Sequence, residues 1–160
     1  VERQATATTA VRVVLSLDPE SDSETIERSI RVSASICESL YQQQAYIECL
    51  IGESLHVCSG GSADFRRLMD AFAQLRFDSK EDDQATVCPG VSRAKGLFEI
   101  IVATDGRLET AQPSTTRRIV AVESADRPTP AHVCPWLTLS GEADWSRQLA
   151  RQWRKACHAT

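Results

Sequence analysis

Two acidic turns stand where β-branched runs end. The first is Asp18-Pro19-Glu20-Ser21-Asp22, directly after Val11 to Leu17, and the second is Thr104-Asp105-Gly106, closing the run that starts at Phe98. Charges at such ends can steer a protein partner. The plainer alternative is a solvated acidic loop in which Asp22 favours the start of the next helix. A second grouping is His56-Val57-Cys58 followed by Gly60-Gly61-Ser62. A helix N-terminus there could lower a thiol's pKa, and the glycine step could hold a phosphate or sulfate on backbone N–H groups. His56 and Cys58 share one face of a strand, which favours a structural pair over a nucleophile and its base. No Gly-x-Gly-x-x-Gly, Gly-x-x-x-x-Gly-Lys or Gly-x-Ser-x-Gly is present, so the common nucleotide and hydrolase signatures are missing.

The elements that must position these residues follow from periodicity. Residues 11–18 read as a buried strand, closed by an acid and by Pro19, which cannot donate to a ladder. Ser21 and Glu24 have capping-box spacing, and Ile26, Ile30, Cys37 and Leu40 then recur on one face, which predicts a helix over 24–43. Ala45 to Ile51 and Ser54 to Cys58, separated by Gly52-Glu53, predict a hairpin and hence an antiparallel edge. Phe65, Leu68, Met69, Phe72 and Leu75 predict a helix over 62–75 with Ser62 as N-cap. From Phe77 to Gly96 periodicity is lost in a polar, acidic stretch, which reads as a loop with at most a short helix. Residues 98–104, 117–122 and, more weakly, 136–139 are the later strands, and Trp145, Leu149, Trp153 and Ala156 mark a final helix over 144–158. Strands alternating with helices predict a three-layer, doubly wound α/β fold whose sheet of about six strands is mostly parallel. In such sheets ligands collect beyond the carboxyl ends of the strands, where Asp18 and Asp105 would be neighbours.

Composition narrows the partner classes. The 160 residues fit one domain, and 42% hydrophobic residues can build its core. The net charge of -4 comes from 22 acidic and 18 basic residues without a basic stripe, which argues against nucleic acid. No run approaches the ~20 apolar residues of a membrane span, and Val1 to Ala10 reads as neither a signal peptide nor a natural start, so a piece of a longer protein is expected. Cys37, Cys49, Cys58, Cys88, Cys134 and Cys157 lack zinc-ligand spacing, and several fall in apolar runs, so at least four of the six are expected to be unpaired thiols.

The order of strand and acid, long helix, hairpin, Gly-Ser and helix, then strand with Thr104-Asp105-Gly106 resembles a von Willebrand factor A domain over nearly the whole chain. More narrowly, Glu2-Arg3-Gln4 before Val11 to Asp18, and Gly60 to Ser62 leading into Phe65-Arg66-Arg67-Leu68, are similar to the carboxy-terminal domain of a bacterial family. Its members often accompany MoxR-type AAA+ ATPases and carry membrane helices upstream. The resemblance implies a cytoplasmic protein-interaction module, possible tethering by upstream segments, and a protein partner that could be such an ATPase. It also implies a metal-ion-dependent adhesion site built on Asp-x-Ser-x-Ser, a hydroxyl and a further Asp. Asp18 and Asp105 match its acids, Glu20 and Asp22 stand in place of serines, and Ser59 or Ser62 only loosely replaces the threonine. The expected partner surface is thus Asp18, Glu20, Asp22, Ser59, Ser62 and Asp105, with Asp18 and Asp105 vestigial as metal positions. No cofactor and no catalytic residue is expected, and any divalent cation should bind weakly. The alternative is a Rossmann-like enzyme taking a small molecule or anion in the strand-end cleft.

Overall fold

A computed structural model describes residues 9–75, 97–108, 114–141 and 144–157. The expected loop over 77–96 lies outside them.

The chain runs β1 (Ala10–Ser16), α1 (Ser23–Gln42), β2 (Tyr46–Ile51), β3 (Ser54–Cys58), α2 (Ser62–Gln74), β4 (Phe98–Thr104), the short α3 (Asp105–Leu108), β5 (Arg117–Val122), β6 (Leu137–Leu139) and α4 (Trp145–Cys157). The strands form one six-stranded sheet in the order β3-β2-β1-β4-β5-β6. All neighbours are parallel except β2 and β3. The fold is therefore the expected Rossmann-like, three-layer α/β arrangement with one antiparallel edge. The reversal is made at Gly52, whose φ of 59° is a left-handed conformation that a residue with a Cβ adopts only with strain.

Side chains alternate across the sheet, and the register sorts them into two faces. Val11, Val13 and Leu15 of β1 lie level with Ile47, Cys49 and Ile51 of β2 and with Phe98, Ile100 and Val102 of β4. This face forms the main core with Val32, Ile36 and Leu40 of α1, Leu68 and Phe72 of α2, and Leu149 of α4. The three long helices therefore share one side. The stripes predicted from sequence are the stripes buried, and Tyr41 stacks on Phe65 at 4.2 Å to join α1 to α2. The opposite face packs Ala103, Ile119 and Ala121 against Leu108 of α3 and Val133.

That second face also carries a row of charges. Arg12 lies level with Glu48 on one side and Glu99 on the other, and Glu99 lies level with Arg117. Arg12 donates to Glu48 Oε2 from Nε and Nη2 at 3.0 and 2.7 Å, and both side chains are nearly buried. Arg117 Nε donates to Glu99 Oε1 at 2.6 Å. Alternating signs make each charge a neighbour's counter-ion, which is the condition under which burial is tolerable.

Two helix starts differ from expectation. The N-cap of α1 is Asp22, not Ser21: its carboxylate accepts from Thr25 N at 2.8 Å, while the Ser21 N–H turns back to Asp18 O. The cap of α2 is Gly61 without a side-chain bond, and Ser62 is already inside the helix. Ser62 lies one residue too late in the chain to cap.

Candidate functional site

β1 and β4 are adjacent and parallel, with Ser16 level with Ala103, so the loops after them meet at the carboxyl end of the sheet. Asp18 ties them together. Its own N–H donates to Thr104 Oγ1 at 2.8 Å, its Oδ1 accepts from Glu20 N at 3.0 Å, and its Oδ2 accepts from Gly106 N at 3.2 Å. Arg107 adds a bond from Nε to Leu17 O at 3.3 Å. Gly106 lets the two loops approach closely, since a Cβ there would stand 2.6 Å from Asp18 Oδ2 and the carboxylate would have to shift. Asp105 opens α3 in the same corner.

Asp22 caps α1 from the same loop, and Thr25 also donates from Oγ1 to Asp22 Oδ2 at 2.7 Å. The hydroxyl of Thr25, and then its N–H, hold the Asp22 carboxyl below the usual aspartate value. Glu20 is exposed and has no hydrogen-bonded carboxylate partner among the described residues. The loop thus joins Asp18, Glu20, Asp22 and the backbone of Asp105, but the first two aspartates of this set spend their oxygens on backbone N–H groups and a hydroxyl. Among the described residues no three carboxylate, imidazole or thiol groups gather closely enough to share a metal ion.

Ser59 and Ser62 are not part of this corner. β3 runs antiparallel to β2, and Cys58 is level with Ile47 near the start of β2. The loop after β3 is therefore at the amino end of the parallel strands, a full strand length from Asp18. There Ser59 Oγ bonds Asp64 Oδ2 at 3.2 Å. A hairpin reverses the chain, so the expected convergence of Ser59, Ser62 and Asp18 is corrected by topology.

The thiol grouping is also structural. Cys58 is fully buried, as are Cys49 and Cys37, and His56 is level with Cys49. A hydrogen bond with Cys49, burial and the neighbouring thiols push the Cys37 thiol well above its ordinary value. The Cys37 thiol therefore stays protonated, and Cys58, with no exposed surface, is packed in the core rather than presented at the start of α2.

What sequence reasoning missed is a groove of about 740 Å³ on the helix side of the acidic loop. Because α2 runs back toward the carboxyl end of the sheet, its last turns lie beside the first turns of α1. The floor is Ile26, Ile30, Ala34, Met69, Phe72 and Leu75, and the mouth is Pro19, Ser21 and Ser23. Glu27 and Arg31, an ion pair one turn apart on α1, form the rim. Periodicity reads the apolar stripes of both helices as core, because it does not by itself separate a residue facing the sheet from one facing a groove.

Set against known proteins, the chain matches no family model, and neither a curated protein nor a solved structure matches it. Among the described residues no helix is long and apolar enough to cross a membrane.

Proposed function

We propose that this domain is a non-catalytic protein-interaction module that takes an apolar segment of its partner into the groove between α1 and α2. The strand-end acids, with Glu20 outermost, set the direction of approach. The observation that carries the reading is the groove itself: an open apolar floor beside the strand-end loops, whose polar lining among the described residues consists of Ser21, Ser23, Glu27 and Arg31, with no His or Cys among them. Such a lining recognises an apolar surface and offers no nucleophile with an adjacent base. The fold class is compatible with a von Willebrand factor A-like module, although fold alone does not fix function. The partner proposed from the sequence resemblance is a MoxR-type AAA+ ATPase, with the acidic corner a vestige of a metal-dependent adhesion site.

Binding kinetics with the ATPase of the same organism test this. Ala73 is exposed and lines the groove, so Ala73→Glu places a charge on the apolar contact and should speed dissociation by about tenfold. Glu20→Lys should instead slow association at low salt, because a rim charge acts on approach. Failure of the wild-type chain to bind would remove the ATPase as partner, and binding indifferent to both variants would remove this surface.

A further inference from the structure

The two edges of the sheet are finished differently. At one edge, α4 closes β6: Gln152 Oε1 accepts from Thr138 N at 3.1 Å, and Gln152 Nε2 donates to Thr138 O at 2.8 Å. A single side-chain amide thus occupies both backbone groups of an edge residue, and Gln148 does similar work at Ser140. At the other edge, β3 is hydrogen-bonded only to β2 among the described residues. Its sequence Ser-Leu-His-Val-Cys contains no charge and no proline, and its register with β2 runs without a bulge. These are the devices that ordinarily blunt an exposed edge. Leu55 and Val57, on one face of this strand, are the large hydrophobic residues exposed among the described residues, at 41% and 45%.

We propose that the open edge of β3 pairs with β3 of a second copy of this chain, antiparallel about His56, joining two six-stranded sheets into one. The pattern selects both partner and register. A strand is its own antiparallel complement across a two-fold axis, and centring the axis on His56 sets Leu55 opposite the second copy's Val57 and Val57 opposite its Leu55. Both exposed apolar side chains then gain an apolar partner. A shift of the axis by one residue toward the amino end sets Val57 opposite Glu53, and the opposite shift sets Leu55 opposite Ser59, so either leaves one of the two against a polar group. In the chosen register Glu53 meets Ser59, and no like charges face each other. The contact is short, so the two copies exchange readily rather than forming an obligate dimer.

Sedimentation velocity of the 160-residue chain from about 10 μM to about 1 mM, together with amide hydrogen exchange, tests the pairing. The sedimentation coefficient should rise with concentration, and exchange at β3 should slow with it. Val57→Lys should raise the dissociation constant by about tenfold or more, because the two-fold axis duplicates every lost cross-strand pair. Leu55→Lys should do the same and serves if the first variant folds poorly by circular dichroism. A chain that stays monomeric throughout overturns the proposal. So does a dimer that survives both lysine variants but is lost in Ala73→Glu, which would place the contact in the helix groove, or β3 protection that appears only with a different protein.

Discussion

Two of the acids at the carboxyl end of the sheet, Asp18 and Asp22, accept from backbone N–H groups, and this decides what each can do. Asp22 titrates below the 3.8 of an ordinary aspartate because Thr25 donates to it twice. A depressed folded pKa adds stability that is whole above the unfolded value and is lost as the pH falls through the lower folded one. Asp22→Ala should therefore cost about 1 kcal/mol at neutral pH. Urea unfolding should show the gap between wild type and variant narrowing below pH 3.8, and a gap that widens on acidification would contradict the cap. Asp18 differs, since each of its oxygens accepts a backbone N–H from a separate loop. Each oxygen keeps a lone pair for a cation, but no group of three carboxylate, imidazole or thiol side chains gathers around it among the described residues, so titration with Mg²⁺, Mn²⁺ or Ca²⁺ should give no dissociation constant tighter than about 100 μM. Asp18→Ala should instead lower stability by about 1–3 kcal/mol by releasing both loops. A tight site abolished by that variant would restore the adhesion-site reading.

Elements were legible where the signal is local and obscure where it is not. The stripe Ile26, Ile30, Cys37 and Leu40 marks α1, and Gly52-Glu53 marks the hairpin, because periodicity and turn chemistry are properties of neighbouring residues. Asp18 and Asp105 were placed together for the same reason, as ends of strands that a doubly wound sheet makes adjacent. Ser59 and Ser62 were misplaced because a Gly-Ser step carries no information about the end of the sheet at which it lies; the parity of strand reversals does. The Arg12–Glu48 pair escaped notice because the partners are 36 residues apart and a charge within a strand ordinarily points to water. Breaking that pair should be expensive. Arg12→Met leaves Glu48 buried with only Tyr46 Oη, at 3.4 Å, as a hydrogen-bond partner among the described residues; burial, and then the Glu48 carboxylate, hold the Tyr46 hydroxyl above its usual value. The single variant should lose about 3–5 kcal/mol, whereas Arg12→Met with Glu48→Leu should recover most of it. Additive losses in denaturant unfolding would show that the two charges do not compensate each other.

At the scale of the whole molecule, one side of the sheet is closed by three long helices while the hairpin that carries β3 projects from the same core. Cys37 of α1, Cys49 of β2 and Cys58 of β3 meet in that core with no exposed surface, and Cys134 is an exposed thiol. The three buried thiols come from separate elements and are covered only when α1 rests on the hairpin. Fraying of a helix end or of the outer strand does not uncover all of them, so their exposure depends on opening of the core as a unit. The raised pKa of Cys37 keeps the thiol protonated and makes modification in the folded state slower still, since the thiolate is the reactive form. Alkylation followed by peptide mass mapping should find Cys134 modified at once. Cys37, Cys49 and Cys58 should then react at one common, slow rate that rises with urea as global unfolding does. With the chain denatured but unreduced, these four thiols should all be free. If Cys58 reacted much faster than Cys37 in the native chain, the β3 hairpin would be opening independently, and the sheet edge and helix layer would be separate cooperative units rather than one.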